Sequence, residues 1–125
     1  MSGARRDRQR AERDGRRAET LAALYLRCKF YRILARRFRT PAGEIDLIVR
    51  RGSTIAFVEV KRRASREAAS SAISPQSRRR IQRAASWFMA RNPNLSHCAL
   101  RLDAVFMSPR RWPLHVSGAW DETGP

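Results

Sequence analysis

The sequence predicts a single α/β domain, built as one mixed β-sheet with helices packed on it. Three observations carry this. Residues 18–28 and 75–91 place apolar side chains at helical spacing, and the adjacent stretches 44–50 and 53–61 are β-branched and strand-like. The length of 125 residues suits one domain and leaves no room for two.

Taken in order, residues 1–15 read as a basic, flexible N-terminal arm that extends into the following helix, and 16–125 as the domain itself. The first 17 residues hold seven Arg and three acids with almost no apolar periodicity. From Ala18, the positions Leu21, Ala22, Leu24, Tyr25 and Cys28 make an amphipathic helix. FYRILARRFRT follows as a strand, with Tyr31, Ile33 and Ala35 alternating against Arg32, Leu34 and Arg36, and Pro41-Ala42-Gly43 ends it. EIDLIVR (44–50) and STIAFVEVK (53–61) form a hairpin around Arg51-Gly52. RRASREAASSAIS, short of large apolar residues, reads as a mobile loop with room for one helical turn. Ser74 and Pro75 then supply an N-cap and a proline at the first helical position. Ile81, Ala84, Ala85, Phe88 and Met89 give that helix one apolar stripe, and Asn92-Pro93 stops it. CALRLDAVFM (98–107) is a buried strand and PLHV (113–116) a short final one.

Charge narrows the partners. Twenty-seven bases against eleven acids give a net charge of +16, and 25 of the bases are Arg. Such a surface attracts polyanions, with nucleic acid well ahead of an anionic membrane. The N-terminus lacks the apolar stretch of a secretory signal, and no segment is long and apolar enough to span a membrane. Cys28 and Cys98 sit in apolar contexts and read as buried free thiols; with only His97 and His115 there is no zinc spacing. A cytoplasmic protein is the expectation.

In so basic a chain the carboxylates are the informative residues. Between Gly15 and Arg66 there are fourteen bases and four acids, Glu19, Glu44, Asp46 and Glu59, and three of those acids fall on the two central strands. A buried carboxylate is costly unless paired or metal-bound. A three-residue loop without a bulge would put the charged pairs of the two strands on opposite faces; a two-residue loop at Arg51-Gly52 pairs Arg50 with Ser53, and it or a four-residue loop sets Glu44 opposite Glu59 and Asp46 diagonal to it. Glu44, Asp46, Glu59 and Lys61 then share one face. Carboxylates converging there suit Mg²⁺ or Mn²⁺. Lys61 is one of only two lysines, and a lysine can position or help activate a water where a permanently charged arginine cannot. The alternative is a hairpin whose carboxylates merely pair with neighbouring arginines.

GEIDLIVRR followed by FVEVKRR resembles the bipartite Asp…Glu-x-Lys signature of the restriction-endonuclease-like superfamily. In particular it resembles the small, uncharacterised YraN-like bacterial proteins, related in fold to Holliday-junction resolvases. GRRAETLAALYL, the Pro-Gln-initiated basic helix and RLDAVFM extend the likeness over most of the chain. The resemblance implies a three-layer fold with the central mixed sheet flanked by helices. It implies Asp46 and Glu59 as metal ligands, with the Val60 carbonyl a third, and Lys61 orienting the attacking water. Glu19 matches an additional acidic ligand, the alternative being a solvated carboxylate paired with Arg16 or Arg17. Glu44 and Gln76 are accessory candidates; Glu44 could instead cap the strand entry and Gln76 the helix. Asp103, beside Arg101, reads as a structural ion pair. Two departures stand out. Cys28-Lys29-Phe30-Tyr31 occupies the place where a glycine is usual before the first strand, and Leu102 stands where an aromatic is common.

The expected function is therefore metal-dependent phosphodiester hydrolysis, structure-selective or nonspecific, on DNA ahead of RNA. Arg62, Arg63, Arg78, Arg79, Arg80, Arg83 and the N-terminal arm would hold flanking phosphates. Trp87 and Trp112 read as core or rim packing. The rival is a non-catalytic DNA- or RNA-binding protein that retains the fold. Because resolvases cut two strands symmetrically, the resemblance also raises a homodimer.

Overall fold

The computed structural model describes residues 2–62 and 74–119. The chain runs α1 (Ser2–Cys28), β1 (Arg32–Thr40), β2 (Gly43–Arg51), β3 (Thr54–Arg62), α2 (Pro75–Arg91), a 3₁₀ turn (Pro93–Leu95), β4 (Ala99–Met107) and β5 (Leu114–Val116). The strands form one five-stranded sheet in the order β1-β2-β3-β4-β5, antiparallel except for the parallel pair β3 and β4. Among the described residues, α2 and the 3₁₀ turn lie between those parallel strands and supply the crossover that a parallel pair requires. This is the α/β class expected, a central mixed sheet flanked by helices. The segment 63–73, read as a mobile loop and containing Arg63, lies outside the described residues.

Alternation along the strands separates two cores. On one face Leu47, Val49, Ala56, Val58 and Val105 pack under Ala22, Ala23 and Leu26 of α1. On the other, Ile45, Ile48, Ile55, Phe57, Ala104 and Phe106 pack under Ile81, Ala84, Ala85 and Phe88 of α2. The caps of α2 are those its sequence signals: the Ser74 side chain accepts the Ser77 N–H at 3.1 Å, and Pro75 opens the first turn.

Helix α1 is longer than its packing explains. The residues expected as a basic arm continue as helix, and the described side chains from Gly3 to Arg13 are exposed. The helix ends in a Schellman pair, Tyr31 N–H to the Leu26 carbonyl (3.1 Å) and Phe30 N–H to the Arg27 carbonyl (3.0 Å). Phe30 therefore occupies the left-handed position that usually belongs to glycine, at φ +71°.

The hairpin register differs from the expected one. Arg51 pairs with Thr54 and Leu47 with Val58, so the loop is Gly52-Ser53. Gly52, at φ +61°, takes the first loop position, which a two-residue type II′ turn reserves for glycine. The pairing slides by two residues, keeps the same parity, and brings Asp46 level with Glu59 instead of diagonal to it.

One thiol read as buried is not, and the two tryptophans read as core or rim packing lie toward solvent. Cys28 is exposed on the outer side of α1, whereas Cys98 is buried as expected; both are free thiols. Trp112 is 84% exposed and Trp87 is exposed at 41%, with the Arg91 guanidinium 5.6 Å above its ring. Among the described residues no helix is long and apolar enough to cross a membrane.

Candidate metal and nucleic-acid site

The site lies where the two central strands part. Alternation breaks here on both β1 and β2. Ala35 and Phe38, three apart, both pack toward α2, and so do Ile45 and Ile48. The β1–β2 register shifts between Ile33 and Ala35; beyond it the pairs Arg36 with Leu47 and Phe38 with Ile45 lie on either side of Arg37, at φ +52°, and Asp46. The break in alternation moves both residues out of the strict two-residue period. Arg37 reaches α1 and donates to Glu19 at 2.6 Å. Asp46 turns across the β2–β3 gap, where its Oδ2 accepts the Val60 N–H at 2.7 Å. The carboxylate thus replaces a main-chain acceptor just beyond the last β2–β3 pair.

Glu59 sits on the α2 side, at the parity of Ile55 and Phe57, and is only 8% exposed. Its Oε1 meets Lys61 Nζ at 3.0 Å and accepts from Arg80 Nη2 at 3.2 Å. Its Oε2 is buried with no hydrogen-bond partner. An orphaned carboxylate oxygen is a costly feature in a protein interior.

Asp46 is electrostatically the most perturbed of the group. Burial pushes its carboxyl up to about 6, against the pull of the Val60 N–H, and the charges of Glu19, Glu59 and Glu44 push the same way as burial. Arg37, held by Glu19 and facing Glu44 and Asp46 as well, is shifted upward. The acids therefore feel one another, but each already has a donor. Among the described residues no three His, Cys, Asp or Glu side chains are gathered tightly enough to form a ready-made metal cage.

An open cleft of about 220 Å³ runs beside the site, lined by Gly15, Ala18, Glu19, Val60, Lys61 and Arg62. It joins the underside of α1 to the end of β3. Glu19, expected as either a ligand or a partner of Arg16 or Arg17, bonds Arg37 from the next element instead. Glu44 turns outward to Arg39 on β1, at 3.4 Å. Gln76 is exposed in the first turn of α2, whose cap is Ser74. Arg79, Arg80 and Arg83 are exposed along α2 and Arg78 is half-buried; Arg62 is exposed at the end of β3. The first turn of α2 carries no acid. Basic side chains clustered at a helix N-terminus oppose the helix dipole and so gain little stability there, whereas an anion at that place is favoured.

A profile of the uncharacterised protein family UPF0102 matches residues 18–107, which includes every strand through β4 and both helix faces that pack on the sheet. The chain belongs to that family. A UPF0102 protein of Parvibaculum lavamentivorans is 54% identical over 110 residues, covering 88% of this chain and 83% of the relative. One from Methylorubrum extorquens is 56% identical over 110 residues, 88% of this chain and 86% of its own. One from a Chelativorans strain is 52% identical over 117 residues, 94% of each. The family segment contains the whole Glu19, Asp46, Glu59 and Lys61 constellation and leaves most of the overhanging helix outside.

A second polar cluster escaped the sequence reading in part. Asp103, fully buried on β4, accepts two hydrogen bonds from Arg101 (2.8 and 2.9 Å), one from the Gly118 N–H (3.0 Å), and faces His115 Nε2 at 2.8 Å. The Asp103–Arg101 ion pair is the one expected. His115 and Lys29 were not expected there, yet His115 Nδ1 lies 2.6 Å from Lys29 Nζ. Burial works to raise the Asp103 carboxyl, but hydrogen bonds from His115, Arg101 and Gly118 outweigh it and hold the group below the usual carboxylate range. Only the two-residue spacing of Arg101 and Asp103 gave a signal; the other partners come from β5 and the end of α1.

Proposed function

We propose that the chain is a metal-dependent nuclease of the restriction-endonuclease-like type, hydrolysing phosphodiester bonds in nucleic acid, DNA ahead of RNA. The observation that carries this reading is the buried Glu59 carboxylate with its unpartnered Oε2, level with an Asp46 whose carboxyl burial and neighbouring acids push up to about 6. Hard oxygen donors in this arrangement fit Mg²⁺ or Mn²⁺. Asp46 and Glu59 would hold the ion with the Val60 carbonyl, and Glu19 lies across the adjoining cleft. Once bound, such an ion makes a water nucleophilic near neutral pH and polarises the phosphate.

The rest is done by the protein's own groups. Lys61, already at Glu59, orients the water. Glu19, bonded to Arg37, sets a carboxylate on the α1 side of the cleft. The arginines of α2, Arg62 and the basic length of α1 hold flanking phosphates without reading bases, so selectivity for shape and a steep salt dependence follow. A second reading, binding without turnover, is favoured by the separate ion pairs that already engage Glu19 and one oxygen of Glu59.

One experiment separates them. Branched, duplex and single-stranded substrates are incubated with Mg²⁺, Mn²⁺ or EDTA, using wild type, Asp46→Ala and Lys61→Ala. The nuclease reading expects metal-dependent cleavage lost in both variants. Tight binding without cleavage, or cleavage that survives both changes, leaves the binding module. A rise of melting temperature with Mn²⁺ in wild type, absent from Asp46→Ala, checks the metal independently of turnover.

A further inference from the structure

We propose that Arg80 is a latch on the candidate metal site: it is the counter-ion of Glu59 while no metal is bound, and it passes to a substrate phosphate when a divalent cation takes that carboxylate. The inference rests on the nuclease reading and deepens it, because it assigns one arginine of the basic helix a role that the others do not share.

Three observations place Arg80 apart. The first is its partner. Arg79 and Arg83 extend from the exposed side of α2, whereas Arg80 Nη2 lies 3.2 Å from Glu59 Oε1, the same oxygen that Lys61 approaches at 3.0 Å. Two cations therefore crowd one oxygen while the buried Oε2 has none. A carboxylate with this lopsided pairing is neutralised but not satisfied. An incoming cation at Oε2 would be repelled by both neighbours, and the more mobile of the two is the one free to leave. The Arg80 side chain is 44% exposed against 21% for Lys61, so Arg80 is the one that can swing toward solvent and an arriving phosphate.

The second observation is the seat built for it. A Cβ on Gly43 would lie 2.5 Å from Arg80 Cγ and 2.7 Å from Cδ. Gly43 also has a φ of +148°, which other residues rarely adopt. The stem of Arg80 thus passes over bare backbone at the start of β2, three residues from Asp46. The Thr40 hydroxyl fixes that turn, accepting the Ala42 and Gly43 N–H groups at 3.1 Å each and donating to the Gly43 carbonyl at 2.8 Å. A tight turn, a glycine and an arginine stem together aim one guanidinium at Glu59.

The third is chemical. An arginine fork binds a carboxylate and a phosphodiester by the same planar geometry, so exchange between the two needs no change in the group itself. Arg80 is then a positioning residue that couples metal occupancy to phosphate binding.

The test measures metal and DNA binding separately in wild type, Arg80→Gln and Gly43→Ala. Isothermal titration with Mn²⁺ reads the first. The second is filter binding of a phosphorothioate duplex that resists cleavage, in EDTA and in Mn²⁺. With the competing cation gone, Arg80→Gln is expected to bind Mn²⁺ roughly two- to fivefold more tightly, the scale of one half-exposed charge pair. Its duplex affinity should fall several-fold more in Mn²⁺ than in EDTA, where Glu59 already holds the guanidinium. Gly43→Ala, which displaces the stem without touching Glu59, should reproduce both effects; Arg80→Gln alone decides if that variant does not fold. Unchanged or weaker Mn²⁺ affinity in Arg80→Gln overturns the latch while wild-type Mn²⁺ binding keeps the nuclease reading. Equal loss of duplex affinity with and without metal also overturns it, leaving Arg80 an ordinary phosphate contact. Mn²⁺ binding by the variant and not by wild type supports a latch strong enough to close the site. No Mn²⁺ binding by any form overturns both readings.

Discussion

Phe30 holds a φ of +71° with its ring 86% exposed, so the chain bears backbone strain at this position with almost no packing in return. A bulky residue in the left-handed region costs about 1 kcal/mol or more relative to glycine. Phe30→Gly is accordingly expected to raise the unfolding free energy by about 1 kcal/mol in urea titrations, because the Schellman bonds remain and little contact is lost. Asp46 presents the opposite balance, strain that the proposed chemistry would use. Its carboxyl is raised from 3.8 to about 6. An acid with a raised folded-state value favours folding when protonated, so its contribution is present below about pH 4 and is lost as pH rises through 6. Asp46→Asn keeps an acceptor for the Val60 N–H and removes the charge. In EDTA it should be more stable than wild type by about 1 kcal/mol at pH 8, discounting for its partial exposure, with the gain fading as pH falls toward 4. Denaturation at pH 4, 6 and 8 reads this directly, and a constant difference across that range would show that the charge is not the cause.

At the scale of elements, the weakest attachment is β5, three residues long, and the strongest tie to it is buried charge. His115 and the Gly118 N–H both end on Asp103, which Arg101 also holds. Breaking a buried, hydrogen-bonded pair leaves charges uncompensated, so Asp103→Asn is expected to cost about 3–5 kcal/mol in chemical denaturation. The acid limb follows from the same group. Its value is depressed, so its stabilisation is present above the unfolded value of 3.8 and is lost as pH falls through the lower folded value. Elements also show what a sequence can disclose. Both helix stripes and the central strands were legible, because apolar period and turn residues are local signals. The hairpin register was not, since it depends on whether Gly52 stands first or second in the loop. Nor was the placement of Asp46: parity put it on one face with Glu44, Glu59 and Lys61, but alternation on β2 breaks there, between Ile45 and Ile48 that both pack toward α2. Glu44 is consequently left at the surface with Arg39, and Glu19 is paired by a β1 arginine instead of its helix neighbours. Contacts such as Lys29 to His115, 86 positions apart, leave no trace in spacing.

For the whole molecule, the net charge of +16 is distributed with a direction. Helix α1, about 40 Å long at 1.5 Å per residue, packs on the sheet only from Ala18 onward, so roughly its first half overhangs. That overhang carries Arg5, Arg6, Arg8, Arg10 and Arg13, all exposed, and Gly15 and Glu19 at its base line the cleft beside Val60 and Lys61. A helix held out in this way buries no core, so its arginines should matter to a polyanion and hardly to folding. Replacing Arg5, Arg6, Arg8, Arg10 and Arg13 together with Gln is expected to change the unfolding free energy by less than about 0.5 kcal/mol. Glutamine preserves helix propensity, so circular dichroism should confirm an unchanged helix. The same variant should bind duplex more weakly across all sequences. Its plot of log affinity against log salt should flatten by about 0.9 for every arginine that had neutralised a phosphate. An unaltered slope would assign the overhang some other partner and confine nucleic-acid contact to α2 and the end of β3. A flattened slope with intact stability would place the substrate along α1, leading into the cleft at Glu19.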